Sequence, residues 1–153
     1  MRLSTYLRPD LIKKDLVSAN KEEAIEELIG LLGNPRRDID RKRLLEVLLE
    51  RERLGSTGIG DGLAVPHALL AGLGDPIIIV GRSRTGIPFD SLDGMPVYLM
   101  MLIIADSASL EMYLKLLARL TRLLKDYSLR KRLMAAGDEA ELLDILMEQD
   151  SRL

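Results

Sequence analysis

Arg51-Glu52-Arg53-Leu54-Gly55-Ser56-Thr57-Gly58-Ile59-Gly60-Asp61-Gly62-Leu63-Ala64-Val65-Pro66-His67-Ala68 runs from the end of a helical pattern, through glycines and a short apolar run, to the only histidine of the chain. A helix end, glycine punctuation and an apolar run over 62–65 predict a helix leading through a loop into a strand. The same stretch has chemical content. Pro66 holds its φ near −65° directly before His67. Gly58, Gly60 and Gly62 permit positive φ and let backbone N–H groups approach an anion closely. Arg51 or Arg53, at the end of the preceding helix, offers a guanidinium fork suited to phosphate.

Two more apolar runs read as strands, 76–81 and 97–104. The second, Val97-Tyr98-Leu99-Met100-Met101-Leu102-Ile103-Ile104, is apolar on both faces, as a central strand covered by helices on each side must be. Between them, Thr85-Gly86-Ile87-Pro88 and Leu92-Asp93-Gly94-Met95 are turn signals flanking a short strand or hairpin arm at Phe89-Asp90-Ser91. Toward the N-terminus, Leu3, Leu7, Leu11, Ile12, Leu16 and Val17 are expected to pack as short irregular pieces, because Pro9 forbids a continuous helix. Asn20 and Glu23 make a capping pattern. Ala24, Ile25, Leu28, Ile29 and Leu32 then recur at helical spacing until Gly33-Asn34-Pro35. A second helix is expected from Asp38 or Asp40 to Leu54-Gly55, with Leu44, Leu45, Val47, Leu48 and Leu49 inward.

Asp106-Ser107-Ala108-Ser109 opens a long helix through Lys125, with Leu110, Leu114, Leu117, Leu120 and Leu124 on its buried side. A short helix over 128–136 follows. The last helix starts from a capping pattern at Asp138 and carries Leu142, Leu143, Ile145 and Leu146. The expected fold is α/β, with residues 1–153 as a single domain: a mixed parallel and antiparallel sheet of about five strands flanked by helices.

Composition narrows the function. Hydrophobic residues make up 47% and charged residues 30% of 153, enough to bury a core. No apolar run reaches the ~18 residues of a membrane span, and the N-terminus lacks a signal peptide's apolar core. A cytoplasmic protein without membrane insertion is expected. A formal charge of −2 and 3% aromatic residues supply neither the basic field nor the stacking surface of a nucleic-acid binder. The basic residues between Lys115 and Arg132 are spaced as a solvated helix face.

A single histidine and no cysteine limit the chemistry. No Gly-x-Ser-x-Gly elbow supports a serine triad, and no phosphate-binding Gly-Lys-Ser/Thr loop is present. Zinc wants several His or Cys ligands, which leaves open only a magnesium held by carboxylates; no metal and no cofactor is expected. Gly58-Ile59-Gly60-Asp61-Gly62 lacks the spacing and the preceding strand of a dinucleotide fingerprint. What remains is histidine as a nucleophile. A neutral imidazole can take up a phosphoryl group and release it, with catalysis supplied mostly by positioning and by positive or N–H charge. Taken singly, the same residues also suit a boundary histidine, turn glycines and solvated helix ends.

The string around His67 resembles the signature of the type-2 enzyme IIA domains of the bacterial phosphotransferase system, which include the fructose, mannitol and nitrogen-regulatory IIA proteins. The likeness extends to Phe89-Asp90-Ser91-Leu92-Asp93-Gly94-Met95-Pro96-Val97, to Leu114-Lys115-Leu116-Leu117-Ala118-Arg119-Leu120, and to the C-terminal helices. A domain of this length looks most like the nitrogen-regulatory branch.

The resemblance implies that His67 is phosphorylated by an HPr-like phosphocarrier protein and that Arg51, rather than Arg53, stabilises the phosphate. It places the histidine at the C-terminal end of a strand, in a phosphoryl pocket expected to include Ser56, Thr57, Gly58, Gly60 and Tyr113. The phosphoryl group would pass to a sugar IIB component on a separate chain or serve regulation. Tyr113 stands where many members carry a second histidine. Its hydroxyl can donate a hydrogen bond, but the ring cannot become a cation. A regulatory binding module with weak or no transfer, its apolar rim made by Leu69, Leu70 and Leu73, is the alternative.

Overall fold

The computed structural model describes residues 2–33 and 39–153. Short 3-10 turns at Leu3–Thr5 and Pro9–Leu11 lead into β1 (Ile12–Lys13), then α1 (Lys21–Ile29), which tightens into a 3-10 turn at Gly30–Leu32, and α2 (Arg41–Leu54). The site segment forms β2 (Gly58–Gly60), β3 (Leu63–Ala64) and β4 (His67–Leu70). After β5 (Ile77–Ile87) and β6 (Val97–Asp106) come α3 (Leu110–Leu124), α4 (Tyr127–Ala135) and α5 (Glu139–Ser151).

The expected α/β architecture holds, with six strands in the order β1-β5-β6-β3-β2 and β4 also paired to β6. β1 runs parallel to β5, β5 antiparallel to β6, and both β3 and β4 parallel to β6. The apolar run of β6 explains its central place. Leu99, Met101, Ile103 and Ala105 join one core with α3, α4 and α5, while Met100, Leu102 and Ile104 join another with α1 and α2. Successive side chains point to opposite faces, so a strand between two helical layers must be apolar throughout.

Helix starts follow the caps. Asn20 accepts the Glu23 N–H at 2.9 Å, Asp40 that of Arg43 at 3.1 Å and Asp138 that of Glu141 at 2.8 Å. Asn34, Pro35 and Asp38, the expected stop and alternative start, lie outside the described residues.

Four expectations need correction. The strand over 76–81 continues to Ile87: Thr85-Gly86 is not a turn but an irregularity within β5, where Gly86 takes φ 88° and its N–H donates to the Ser83 hydroxyl at 3.0 Å. Phe89-Asp90-Ser91 forms no strand; Phe89 is 1% exposed and anchors a loop. Val17 is exposed. The buried side of α3 is Tyr113, Leu116, Leu120, Leu123 and Leu124, leaving Leu110 and Leu114 in the open. In a leucine-rich helix several stripes satisfy the same period, and the sheet selects one.

Gly81 shows how closely α1 sits on the sheet. A Cβ there would lie 2.6 Å from Leu28 Cδ2 and 2.9 Å from Leu16 Cδ1. Gly81→Ala is therefore expected to lower unfolding free energy by about 1–2 kcal/mol through overpacking, read in urea melts. An unchanged midpoint would mean that both leucines rotate away freely.

Candidate functional site

β3 and β4 are one strand line along β6 interrupted by a proline. Ala64 pairs with Met100 and His67 with Ile103 in unbroken register. Pro66 has no N–H for the ladder, yet its carbonyl accepts the Ile103 N–H at 2.9 Å. His67 therefore opens β4, three residues past the end of β3, instead of closing a strand at its C-terminal end as the resemblance implied. The alternation that sends Ala68 toward α2 turns Val65 toward α3, and His67 meets Tyr113 of α3 with ring centroids 5.4 Å apart, tilted by 41°.

The upstream hairpin is set by Asp61 and Gly62, at φ 56° and 75°. Positive φ at both central residues is the condition of the two-residue turn that an Asp-Gly pair favours.

Both ring nitrogens of His67 are engaged. Nδ1 lies 3.1 Å from the Val65 carbonyl oxygen. A carbonyl only accepts, so Nδ1 carries the proton and Nε2 keeps its lone pair. Arg51 Nε–H donates to that Nε2 at 3.2 Å, and Arg51 Nη1 donates to the Gly55 carbonyl at 2.7 Å. The last turn of α2 thus delivers a guanidinium to the unprotonated nitrogen. His67 is partly exposed, neither sealed in the core nor free in solvent.

Burial lowers the pKa of His67, the Val65 carbonyl opposes this, Arg51 lowers it further and Glu52 raises it; the net direction is down. A ring below its ordinary value is neutral at physiological pH, the form with a lone pair to give. Burial pushes the Tyr113 hydroxyl up despite Arg51, so it keeps its proton and is a hydrogen-bond donor.

The loop residues are arranged differently. Thr57 is 4% exposed, and its N–H and hydroxyl both donate to the Glu52 carboxylate. The Ser56 hydroxyl donates to the Phe89 carbonyl and accepts the Gly58 N–H at 3.0 Å. Gly60 pairs with Leu63 in the hairpin. The structure thus brings Arg51 and Tyr113 to His67, while Ser56, Thr57 and Gly58 serve the loop that follows α2. Leu69 is exposed, and Leu70 and Leu73 pack against the α1–α2 core. Arg53 is exposed.

Glu52 is the residue that sequence reasoning missed. It is 8% exposed, and Lys21 Nζ lies 3.2 Å from its carboxylate. A signal existed: Leu44, Leu48 and Glu52 are spaced by one helical turn, so a carboxylate sits on the buried stripe of α2 and requires partners.

The model of the phosphoenolpyruvate-dependent sugar phosphotransferase system EIIA 2 family matches residues 5–149. The chain is 37% identical over 98% of its length to the PTS system fructose-specific EIIABC component of Bacillus subtilis, of which it spans only 24%. To the nitrogen regulatory protein of Pseudomonas aeruginosa it is 32% identical, covering 97% of this chain and 96% of that one. The crystal structure of nitrogen regulatory protein IIA-Ntr from Neisseria meningitidis superposes with a TM-score of 0.87 at 30% identity, covering 94% of this chain and 98% of that one. No helix among the described residues is long and apolar enough to cross a membrane.

Proposed function

The chain belongs to the EIIA type-2 family of the phosphoenolpyruvate-dependent sugar phosphotransferase system, and from that premise we propose that it is a phosphohistidine carrier whose acceptor atom is His67 Nε2. The observation that carries this reading is the tautomer set by Val65, with the Arg51 guanidinium at the free nitrogen. An HPr-like protein phosphorylated on histidine is the donor. As the Nε2 lone pair forms the new N–P bond, the donor's P–N bond breaks and its electron pair returns to the donor imidazole. Nδ1 keeps its proton throughout, and the Val65 carbonyl meets the positive charge that develops on the ring. Arg51 faces the charge spread over the three phosphoryl oxygens, and the Tyr113 hydroxyl is a donor within the same pocket.

The phosphoryl group then passes to a IIB component or is held as a regulatory signal. Relatives named as a fructose-specific EIIABC component and as a nitrogen regulatory protein support both destinations.

The test is incubation with a phosphorylated HPr-like protein, followed by intact mass and NMR of the single imidazole. One acid-labile phosphoryl group on Nε2 is expected. A label on Nδ1 or on another residue would overturn the assignment. Binding of the carrier without transfer would leave the module reading.

A further inference from the structure

The carboxylate one residue beyond Arg51 is the most heavily engaged side chain near the site. Glu52 accepts the Thr57 N–H at 3.1 Å and the Thr57 hydroxyl, and pairs with Lys21 at 3.2 Å. Lys21 Nζ also stands 4.9 Å above the centre of the buried Phe89 ring, and the Ser56 hydroxyl donates to the Phe89 carbonyl. The turn after α2 is therefore held at Thr57 by Glu52 and at Ser56 by the Phe89 loop. Gly55, the residue before this clamp, supplies the carbonyl that holds Arg51 Nη1 at 2.7 Å. With Nη1 tied there, Nε–H donates to His67 Nε2 at 3.2 Å. A buried carboxylate is retained only where its charge is matched, and Lys21 matches it from the first residue of α1.

We propose that Glu52, neutralised by Lys21, is the positioning residue of the site: by clamping Thr57 it fixes the turn whose Gly55 carbonyl aims Arg51 at His67. The catalytic consequence rests on the phosphoryl reading above; the aiming itself does not. Glu52 is buried and its hydrogen bonds go to Thr57, not to the imidazole, so it acts through Arg51. Thr57 belongs to this clamp, which accounts for a buried hydroxyl beside the site.

The test uses the single histidine as its own reporter. In Glu52→Gln the Arg51 Nε–H resonance is expected to lose its hydrogen-bonded position. The His67 titration is expected to move up, because Arg51, whose charge holds the ring down more than Glu52 holds it up, leaves Nε2. With a phosphorylated carrier, the maximal rate should fall about 10- to 100-fold with KM unchanged, the signature of a misaimed group rather than a lost docking contact. Thr57→Val, which removes only the hydroxyl, should move the Arg51 signal in the same direction to a smaller extent. It also supplies the reading if Glu52→Gln fails to fold. An Arg51 resonance and a His67 titration identical to the unsubstituted protein in both variants would overturn the proposal. Wild-type protein that takes no phosphate while Arg51 still shifts would sink the phosphoryl reading and leave the positioning intact.

Discussion

Phosphoryl uptake is expected to vanish in His67→Gln and to fall about 10²- to 10³-fold in Arg51→Met, the range seen when one preorganised donor to a developing anion is removed. The two effects have different causes. Glutamine has no lone-pair nitrogen to form the N–P bond. Methionine keeps the packing of the arginine stem but removes the charge at Nε2.

A second readout separates lost chemistry from lost structure. The Arg51 charge holds the pKa of His67 down, so its removal raises that pKa. The neutral form then persists to a less acidic limit only. The lower edge of the pH–rate profile should move to higher pH in Arg51→Met, although the rate on the plateau is reduced. Initial rates across about pH 5–8 with a phosphorylated carrier check both statements. An unshifted edge together with a full rate would remove Arg51 from the site.

The largest expected effect on stability lies far from His67, at Arg82 in β5. Its side chain is fully buried; Nε donates to the Lys14 carbonyl at 2.8 Å, and Nη1 donates to the carbonyls of Leu133 and Ala136 at 2.9 and 2.6 Å. The last two belong to the end of α4, where helix carbonyls have no intrahelical partner. Ala136 stands at ψ 141°, so the chain leaves α4 without a left-handed cap, and the arginine of a neighbouring strand supplies the missing donors. The nearest carboxylate, Asp15, is 3.7 Å from Nη2 and half in solvent, too exposed to be the main compensation.

Arg82→Met fills similar volume but leaves the Lys14 and Ala136 carbonyls without this donor and the Leu133 carbonyl with only the Ala136 N–H at 3.4 Å. Each orphaned acceptor costs on the order of 1–3 kcal/mol, so a loss of about 3–5 kcal/mol is expected, measured as a urea midpoint shift at constant m-value. That is a large part of a small domain's stability. A loss below about 1 kcal/mol would mean that water reaches the end of α4 and replaces the guanidinium.

Much of this could be read before any coordinates. Glu23, Arg43 and Glu141 donate to the caps at Asn20, Asp40 and Asp138 because capping is a local matter of three residues and one side-chain oxygen. β6 declared itself through an apolar run that a one-sided strand would not need. Arg51 and His67 were legible as partners through the family string and through one chemical consideration, that a lone imidazole wants a cation and no second ligand.

Other features depended on neighbours distant in the chain. Tyr113 and Leu116, not Leu110 and Leu114, face the core because the sheet chose among equally periodic stripes of α3. β4 exists because β6 offers its hydrogen-bonding edge to His67–Leu70 beyond the proline. Thr57 turned inward because Glu52 and Lys21, brought together by the packing of α1 on α2, left its hydroxyl a buried carboxylate to bind. By itself the sequence determined the layers and the helix starts, set by contacts within a few residues or by the polarity of whole segments. Only the tertiary structure decided which face of each element is buried, which ring nitrogen carries the proton and what holds the guanidinium in place, since each depends on groups that meet only when the two helical layers close on the sheet.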